Sequence, residues 1–485
     1  MEKFAVIFAS SECEPFAKTG GMADVVSALS KELSKYGLNI SIFLPFYKHI
    51  QSKKNIKIKN LNLKTIVRIN SFFKESNFFQ TTLQDSNISV YLVKNDEYFF
   101  RDHLYSENGS DYPDNLERFV LFNKSILNFI LMKEWNVKLI HCHDWQTALI
   151  PVYLKLIYSN DPILKNIKTL FTIHNFGYQG IFNINEYYKL DLGWEHFTID
   201  KMEFYGKINL LKAALIFSDA ISTVSETYKK ELLEKEDISK GLTFQLRAKA
   251  DKFFGILNGV DYDIWDPAKD KYIKKNYDSS SLSNKLLCKK ELLKLANLKG
   301  IQKPLLIMIS RLVAIKGLDI LIPALDNILK MNVNLIILGN GEPTIEAKLS
   351  ALERKYKNFK LFLKFDEEMA HKMQAGGDIL LMPSISEPCG LNQLYSLKYG
   401  TVPIVYYTGG LADTIIDYNK DNKKGTGFVF YEHTSNALTD TIYKAISLYN
   451  KKSEWRKIQK NGMKQDFSWK KSAGDYLQVY LKIIT

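Results

Sequence analysis

Between Asp378 and Asp413, two short apolar strands each run into a turn that opens a helix. The first strand, Asp378 to Met382, meets Pro383, a small-residue loop and then Glu387-Pro388-Cys389-Gly390-Leu391. The second, Val402 to Val405, delivers Thr408-Gly409-Gly410. Few folds accept such a pattern. Short unbroken apolar strands suit a parallel sheet covered on both faces. Helix N-termini at the ends of such strands bring free N–H groups and positive dipole ends to one place. An anion fits there, with the Glu387 carboxylate beside it.

The same rhythm fills most of the 485 residues. Residues 3–9 read as a first strand, and Met22 to Tyr36 as a helix closed by Gly37. Alternation such as Ile88-Ser89-Val90-Tyr91 predicts hairpins inserted at a sheet edge over 56–93. A polar loop from Arg101 to Asn115 precedes an amphipathic helix, and strands follow near 137–140, 168–173, 219–222 and 252–257. The stretch 258–284, rich in turn residues and lysine, reads as an interdomain connection. Strands then resume at 305–309, 333–338, 359–363, 378–382, 402–405 and 427–430. Thr19-Gly20-Gly21-Met22-Ala23-Asp24 echoes Thr408-Gly409-Gly410-Leu411-Ala412-Asp413, each ahead of a helix. The expected architecture is α/β: two doubly wound, Rossmann-like domains, 1–257 and 258–466, facing each other across a deep cleft.

The formal net charge of +13 raises a nucleic-acid partner. Its distribution argues against one. Lysines number 59 and arginines seven, dispersed and without basic–aromatic alternation. Arginine scarcity makes Arg311, placed in a glycine-bearing loop, conspicuous. The four cysteines, Cys13, Cys142, Cys288 and Cys389, form no CxxC, as expected of a reducing compartment. The opening apolar run is too short for a membrane span or a signal-peptide core. No membrane partner is expected, and a cytoplasmic location is, with a plastid stroma the equivalent for a plastid-encoded chain.

Lys18-Thr19-Gly20-Gly21 offers glycine backbone and a point charge to a phosphate; a tight turn with a surface lysine is the plainer alternative. GxGxxG and the Walker A pattern are both absent, which disfavours nicotinamide and P-loop chemistry. His141 and His143 alternate at a strand end beside Asp144, but zinc needs three or four spaced ligands, so hydrogen-bonded sheet-end histidines are expected and no metal. Asp261-Tyr262-Asp263 lacks a strand to deliver it. Arg311 and Lys316 flank a short loop before a helix and suit a diphosphate clamp; helix capping is the alternative. Glu387 suits the hydroxyls of a neutral sugar attached to that anion.

Taken together, the blocks KTGGMADV (18–25), DYPDNLERF (111–119), HCHDWQTAL (141–149), TIHNFGYQG (172–180), NGVDYDIWDP (258–267), SRLVAIKG (310–317), EPCGLNQLYSLKYGT (387–401), TGGLADT (408–414) and MKQDFSW (463–469) resemble the glycogen/starch synthase family of retaining glycosyltransferases. The resemblance implies a GT-B fold whose C-terminal helix, 467–485, crosses back to the first domain. It implies ADP-glucose as donor, no cofactor, and the non-reducing end of an α-1,4-glucan as acceptor. Lys18, Arg311 and Lys316 would meet the diphosphate, with Gly20, Gly21, Thr408 and Gly409 nearby. Glu387 and the Cys389-Gly390-Leu391 backbone would hold the glucose. Asp24, Asp144 and His174 would line the reacting end.

The chain departs from the family pattern at Met22, usually Leu, and at Tyr406-Tyr407, where many members carry arginine. Tyr395 stands where broader retaining transferases have a second Glu. Another retaining transferase, using UDP-glucose or a small-sugar acceptor, and a non-catalytic glucan-binding protein of the same fold are the alternatives.

Overall fold

The computed structural model describes residues 4–53, 56–107, 109–418 and 424–485. They form two compact units, one of Met1–Val224, Lys229–Gly259 and Trp469–Thr485, the other of Ser225–Tyr228 and Val260–Ser468.

The first unit is built on a nine-stranded sheet. Its strands are β1 (Ala5–Ala9), β2 (Asn39–Pro45), β3 (Lys59–Ile69), β4 (Phe72–Thr82) and β5 (Ser89–Lys94). They continue with β6 (Val137–His143), β7 (Lys168–Ile173), β8 (Ala220–Thr223) and β9 (Phe253–Gly255). The order is β9-β8-β7-β6-β1-β2-β5-β4-β3. The expected hairpin is β3–β4, antiparallel and at the edge; from β5 to β9 every pairing is parallel. Val6, Ile7 and Phe8 are fully buried, which explains why β1 reads as an unbroken apolar run. Lys3, expected to begin this strand, lies outside the described residues.

Two long helices pack on this sheet, the first against β2 and the second against β3 and β4. Helix α1 (Gly21–Ser34) starts one residue earlier and stops two earlier than its sequence suggests, with Gly37 at φ +87° past its end. Helix α2 spans Asn115–Met132. The last helix of the chain, Trp469–Ile484, belongs to this unit and packs on α1. Its Tyr480 hydroxyl reaches His141 Nδ1 in β6, 2.7 Å away.

The second unit has six parallel strands: β10 (Leu305–Ile309), β11 (Asn334–Leu338), β12 (Phe359–Phe362), β13 (Ile379–Met382), β14 (Val402–Tyr406) and β15 (Phe428–Phe430). Their order is β12-β11-β10-β13-β14-β15. Numbered within the unit, that is third, second, first, fourth, fifth, sixth, the dinucleotide-fold winding. The first unit repeats it from β5 through β9. In such sheets the direction of winding reverses beside the first strand, and ligands sit past the carboxyl ends there. The reversal lies between β1 and β6 in one unit and between β10 and β13 in the other.

The stretch 258–284 is more ordered than a connection needs to be. Trp265 lies flat between His371 (3.7 Å between centroids, 8°) and Tyr395 (3.9 Å, 2°). Asp270 is buried and accepts from His371 Nδ1 at 2.8 Å and from the Tyr399 hydroxyl at 2.5 Å. Turn-forming residues hid this packing, because its partners come from helices a hundred or more residues away. It also gives Tyr395 a role: at this position the chain keeps a flat ring against Trp265.

Candidate active site

In the first unit the loop after β1 is organised by Glu12. This buried carboxylate accepts from the Thr19 N–H (2.5 Å), the Thr19 hydroxyl (2.5 Å), the Gly20 N–H (3.1 Å) and the Tyr105 hydroxyl (2.8 Å). Buried charge persists only when several donors satisfy it. Here the donors include the backbone of the glycine turn, so Glu12 sets that turn's shape. Sequence reasoning passed over it; an acid between an apolar strand and a glycine turn was the available signal.

The turn presents α1 end-on. Gly20 is its N-cap and contributes no side chain, so first-turn N–H groups point out of the helix without a side-chain acceptor. A Cβ built on Gly20 would meet nothing within 4 Å. Packing within the chain therefore does not demand glycine here, whereas close approach of a ligand would. Lys18 pairs with Asp24 at 2.7 Å, with both side chains over a third exposed.

Across the winding reversal, β6 delivers Asp144. Its φ of +55° with ψ of 177° is rare for a residue with a side chain, and such strain gathers at functional positions. Asp144 Oδ1 accepts from the His174 N–H at 2.8 Å. Burial pushes its carboxyl up to about 7, with the Glu12 charge adding to the rise and the His174 N–H opposing it. The His174 ring is hydrogen-bonded to His143, Nε2 to Nδ1 at 3.1 Å, and burial pushes it down to about 3. His141 is held between the Tyr480 and Thr172 hydroxyls at 2.7 and 2.6 Å. These histidines are neutral and tied to one another or to hydroxyls. Among the described residues no group of three or more His, Cys, Asp or Glu could hold a metal ion.

In the second unit the reversal joins the loops after β10 and β13. Lys316 Nζ donates to Glu387 Oε2 at 2.7 Å, and the Ser384 hydroxyl donates to the same oxygen at 3.0 Å. Gly317 makes this possible. Its φ is +79°, and a Cβ would stand 2.0 Å from the Pro383 carbonyl oxygen. Arg311 is exposed, and among the described residues its guanidinium makes no hydrogen bond or ion pair. Two cations predicted to act alike thus differ: one is paired inside the site, the other faces outward.

The second glycine turn differs from the first for a physical reason. Gly409 has φ +42°, and a Cβ there would stand 2.1 Å from the Glu387 carbonyl oxygen. One on Gly410 would stand 2.0 Å from the Cys389 carbonyl oxygen. The Gly410 N–H donates to the Glu387 carbonyl at 3.0 Å, and Thr408 is buried. Thr408 and Gly409 therefore support the Glu387 loop from behind. Cys389 is buried as well, and Gln393 Nε2 ties back the carbonyls of Cys389 (2.9 Å) and Gly390 (3.1 Å). Gly390, at φ +71°, and Leu391 lead into the helix Asn392–Lys398, whose N-cap Leu391 also lacks a capping side chain. At Tyr406-Tyr407 the chain carries three ring pairs: Tyr406 with Phe430 (5.5 Å) and with His433 (5.0 Å), and Tyr407 with Tyr431 (5.2 Å).

Over its whole length the chain is similar to the catalytic domain of starch synthase IV from Arabidopsis thaliana, a structure bound to ADP and acarbose (TM-score 0.90, 30% identity, 100% of both chains). Sucrose-phosphate synthase from Thermosynechococcus elongatus shares the fold at 16% identity (TM-score 0.62, 99% of both chains). The fold is that of the GT-B glycosyltransferases. Residues 5–248 match the starch synthase catalytic domain family, and residues 290–462 match glycosyl transferases group 1. Glycogen synthase of Koribacter versatilis is 41% identical, and glycogen synthase 2 of Geobacter metallireducens 42% identical, each over 98% of both chains. The chain belongs to the glycogen/starch synthase family of glycosyltransferases.

Proposed function

We propose that the chain transfers glucose from ADP-glucose to the non-reducing end of an α-1,4-glucan, with retention of configuration and without a metal or cofactor. The observation that carries this is the loop pair in the second unit: a buried carboxylate, Glu387, held by Lys316 beside an outward-facing Arg311. A neutral polyhydroxyl group suits the carboxylate, and a diphosphate suits the two cations. The ADP in the Arabidopsis relative supports the adenine nucleotide.

In this reading the C1–oxygen bond of the donor breaks and charge gathers on the departing diphosphate. Arg311, Lys316 and Lys18 stabilise that charge as it forms, together with the N–H groups opening α1. The acceptor hydroxyl bonds to C1 on the same face, and its proton leaves on the departing phosphate oxygen. Electron density from Asp144 or the His174 carbonyl steadies the cationic sugar. His174, neutral at working pH, adds no opposing charge. No metal acts in this scheme, and the cytoplasm or a plastid stroma is the expected setting.

Purified protein is given glycogen and radiolabelled ADP-glucose or UDP-glucose. ADP release with label entering α-1,4 linkages is expected. Transfer from UDP-glucose alone would overturn the donor, and no transfer from either would overturn the reading.

A further inference from the structure

Two consecutive residues of the first unit, His143 and Asp144, hold His174 from two sides. Asp144 Oδ1 takes the main-chain N–H of His174, and His143 Nδ1 meets its ring at Nε2, 3.1 Å away. The proposed reaction calls on the His174 carbonyl and gives its ring no task. Among the described residues the other ring nitrogen, His174 Nδ1, makes no hydrogen bond, and the residue is half-buried. That nitrogen can meet a ligand.

His143 has no room to turn. It ends β6, so its side chain lies on the same face as His141, two residues back. The two rings are 4.1 Å apart, and Phe8 of the neighbouring β1 stacks on His143 at 5.5 Å and 28°. His141 is itself fixed by the Tyr480 and Thr172 hydroxyls. His143 has no exposed surface, and its buried Nε2 has no hydrogen-bond partner among the described residues. Burial pushes both rings down, His143 well below its ordinary value and His174 to about 3. The pair is therefore neutral, and a single proton lies between the two rings.

The unpartnered nitrogen decides which ring gives that proton. If His174 donated from Nε2, His143 would accept on Nδ1 and carry its own proton on Nε2, a buried N–H with no acceptor. Such orphaned donors are rare in folded proteins. If His143 donates from Nδ1, its Nε2 is a bare nitrogen and no N–H is orphaned. His174 then accepts on Nε2 and carries its proton on Nδ1. We propose that His143 is a positioning residue that fixes this tautomer, so that His174 presents an N–H donor, and not a lone pair, to an oxygen of the bound nucleotide sugar. The proposal rests on the reading of this strand end as the reacting end of the site. A neutral donor there stabilises charge on oxygen without opposing the cationic sugar.

The tautomer is read from the ring-nitrogen NMR shifts of the full-length protein carrying isotope-labelled histidine, at about pH 8, where a free histidine is neutral. The His174 signals are assigned by their loss in His174→Gln. Wild type should show the His174 proton on Nδ1. Two variants of one shape separate the roles: the His143→Asn amide can donate, whereas the His143→Asp carboxylate only accepts. His143→Asn should keep the proton on Nδ1 and much of kcat. His143→Asp should move it to Nε2 and lower kcat about tenfold below His143→Asn, the size of one hydrogen bond made in the transition state. The KM for ADP-glucose should stay within about twofold. A wild-type proton on Nε2 would overturn the proposal, as would equal kcat in the two variants when their tautomers differ. Should His143→Asp fail to fold, the wild-type tautomer decides alone. Because the tautomer is read without substrate, that result stands even where no glucose is transferred.

Discussion

Lys316 Nζ and Glu387 Oε2 lie 2.7 Å apart, although 71 residues separate them in sequence. Both side chains are mostly buried, at 19% and 11% exposed. Each restrains the other, so the pair behaves as one unit. Lys316→Ala leaves a buried carboxylate without its cation and should cost up to about 3 kcal/mol of stability. Lys316→Ala with Glu387→Gln should recover much of that stability and none of the activity. Thermal unfolding and turnover measured on Lys316→Ala, Glu387→Gln and the double variant check this; additive stability losses would show that the two residues act independently.

Arg311 should behave differently because it faces outward. Arg311→Ala should shift stability by no more than about 0.5 kcal/mol. It should lower kcat by about 10² to 10³ if the guanidinium stabilises charge as it develops. Arg311→Lys should restore only part of the rate, since a point charge replaces a fork. Near-normal turnover in Arg311→Ala would remove its assigned role.

The two glycine turns make a paired test. Gly409→Ala puts a methyl into the Glu387 carbonyl at φ +42° and should destabilise by more than about 1 kcal/mol. Gly20→Ala, at φ −149° with open space, should leave the unfolding temperature unchanged and impair turnover. Full activity in a folded Gly20→Ala would show that nothing approaches this backbone closely.

Asp144 has a signed pH consequence. Its carboxyl rises from 3.8 to about 7 on folding. Between those values the folded protein binds the extra proton, so this residue's contribution to stability falls as pH rises through the window and is level above it. Unfolding free energies of wild type and Asp144→Asn should therefore diverge from about pH 4 to pH 7, in favour of the variant. Parallel curves would show that the carboxyl titrates normally.

Chelation gives a fifth test. Activity should survive EDTA, since Arg311, Lys316 and Lys18 supply the positive charge in the proposed reaction. Full loss restored by a divalent cation would transfer that task to a metal.

Much of the architecture was legible locally. Unbroken apolar runs such as Val6-Ile7-Phe8 announce strands buried on both faces, and glycine turns after them announce helix N-termini. Lys18, Arg311 and Glu387 could be named because each follows a strand end; Asp144 and His174 were named through the family motifs that carry them. The sequence by itself determined two doubly wound halves, their strands to within a few residues, and a set of family motifs. Tertiary structure alone decided what those motifs do to one another. It paired Lys316 with Glu387, made Glu12 the organiser of the Thr19–Gly20 turn, and laid Tyr395 on Trp265. It also gave two nearly identical Thr-Gly-Gly turns opposite surroundings, one open and one filled by the Glu387 and Cys389 carbonyls. The reason is physical: strand and turn preferences are set by neighbours in sequence, whereas hydrogen bonds and packing at a switch point join loops that only the winding of the sheet brings together.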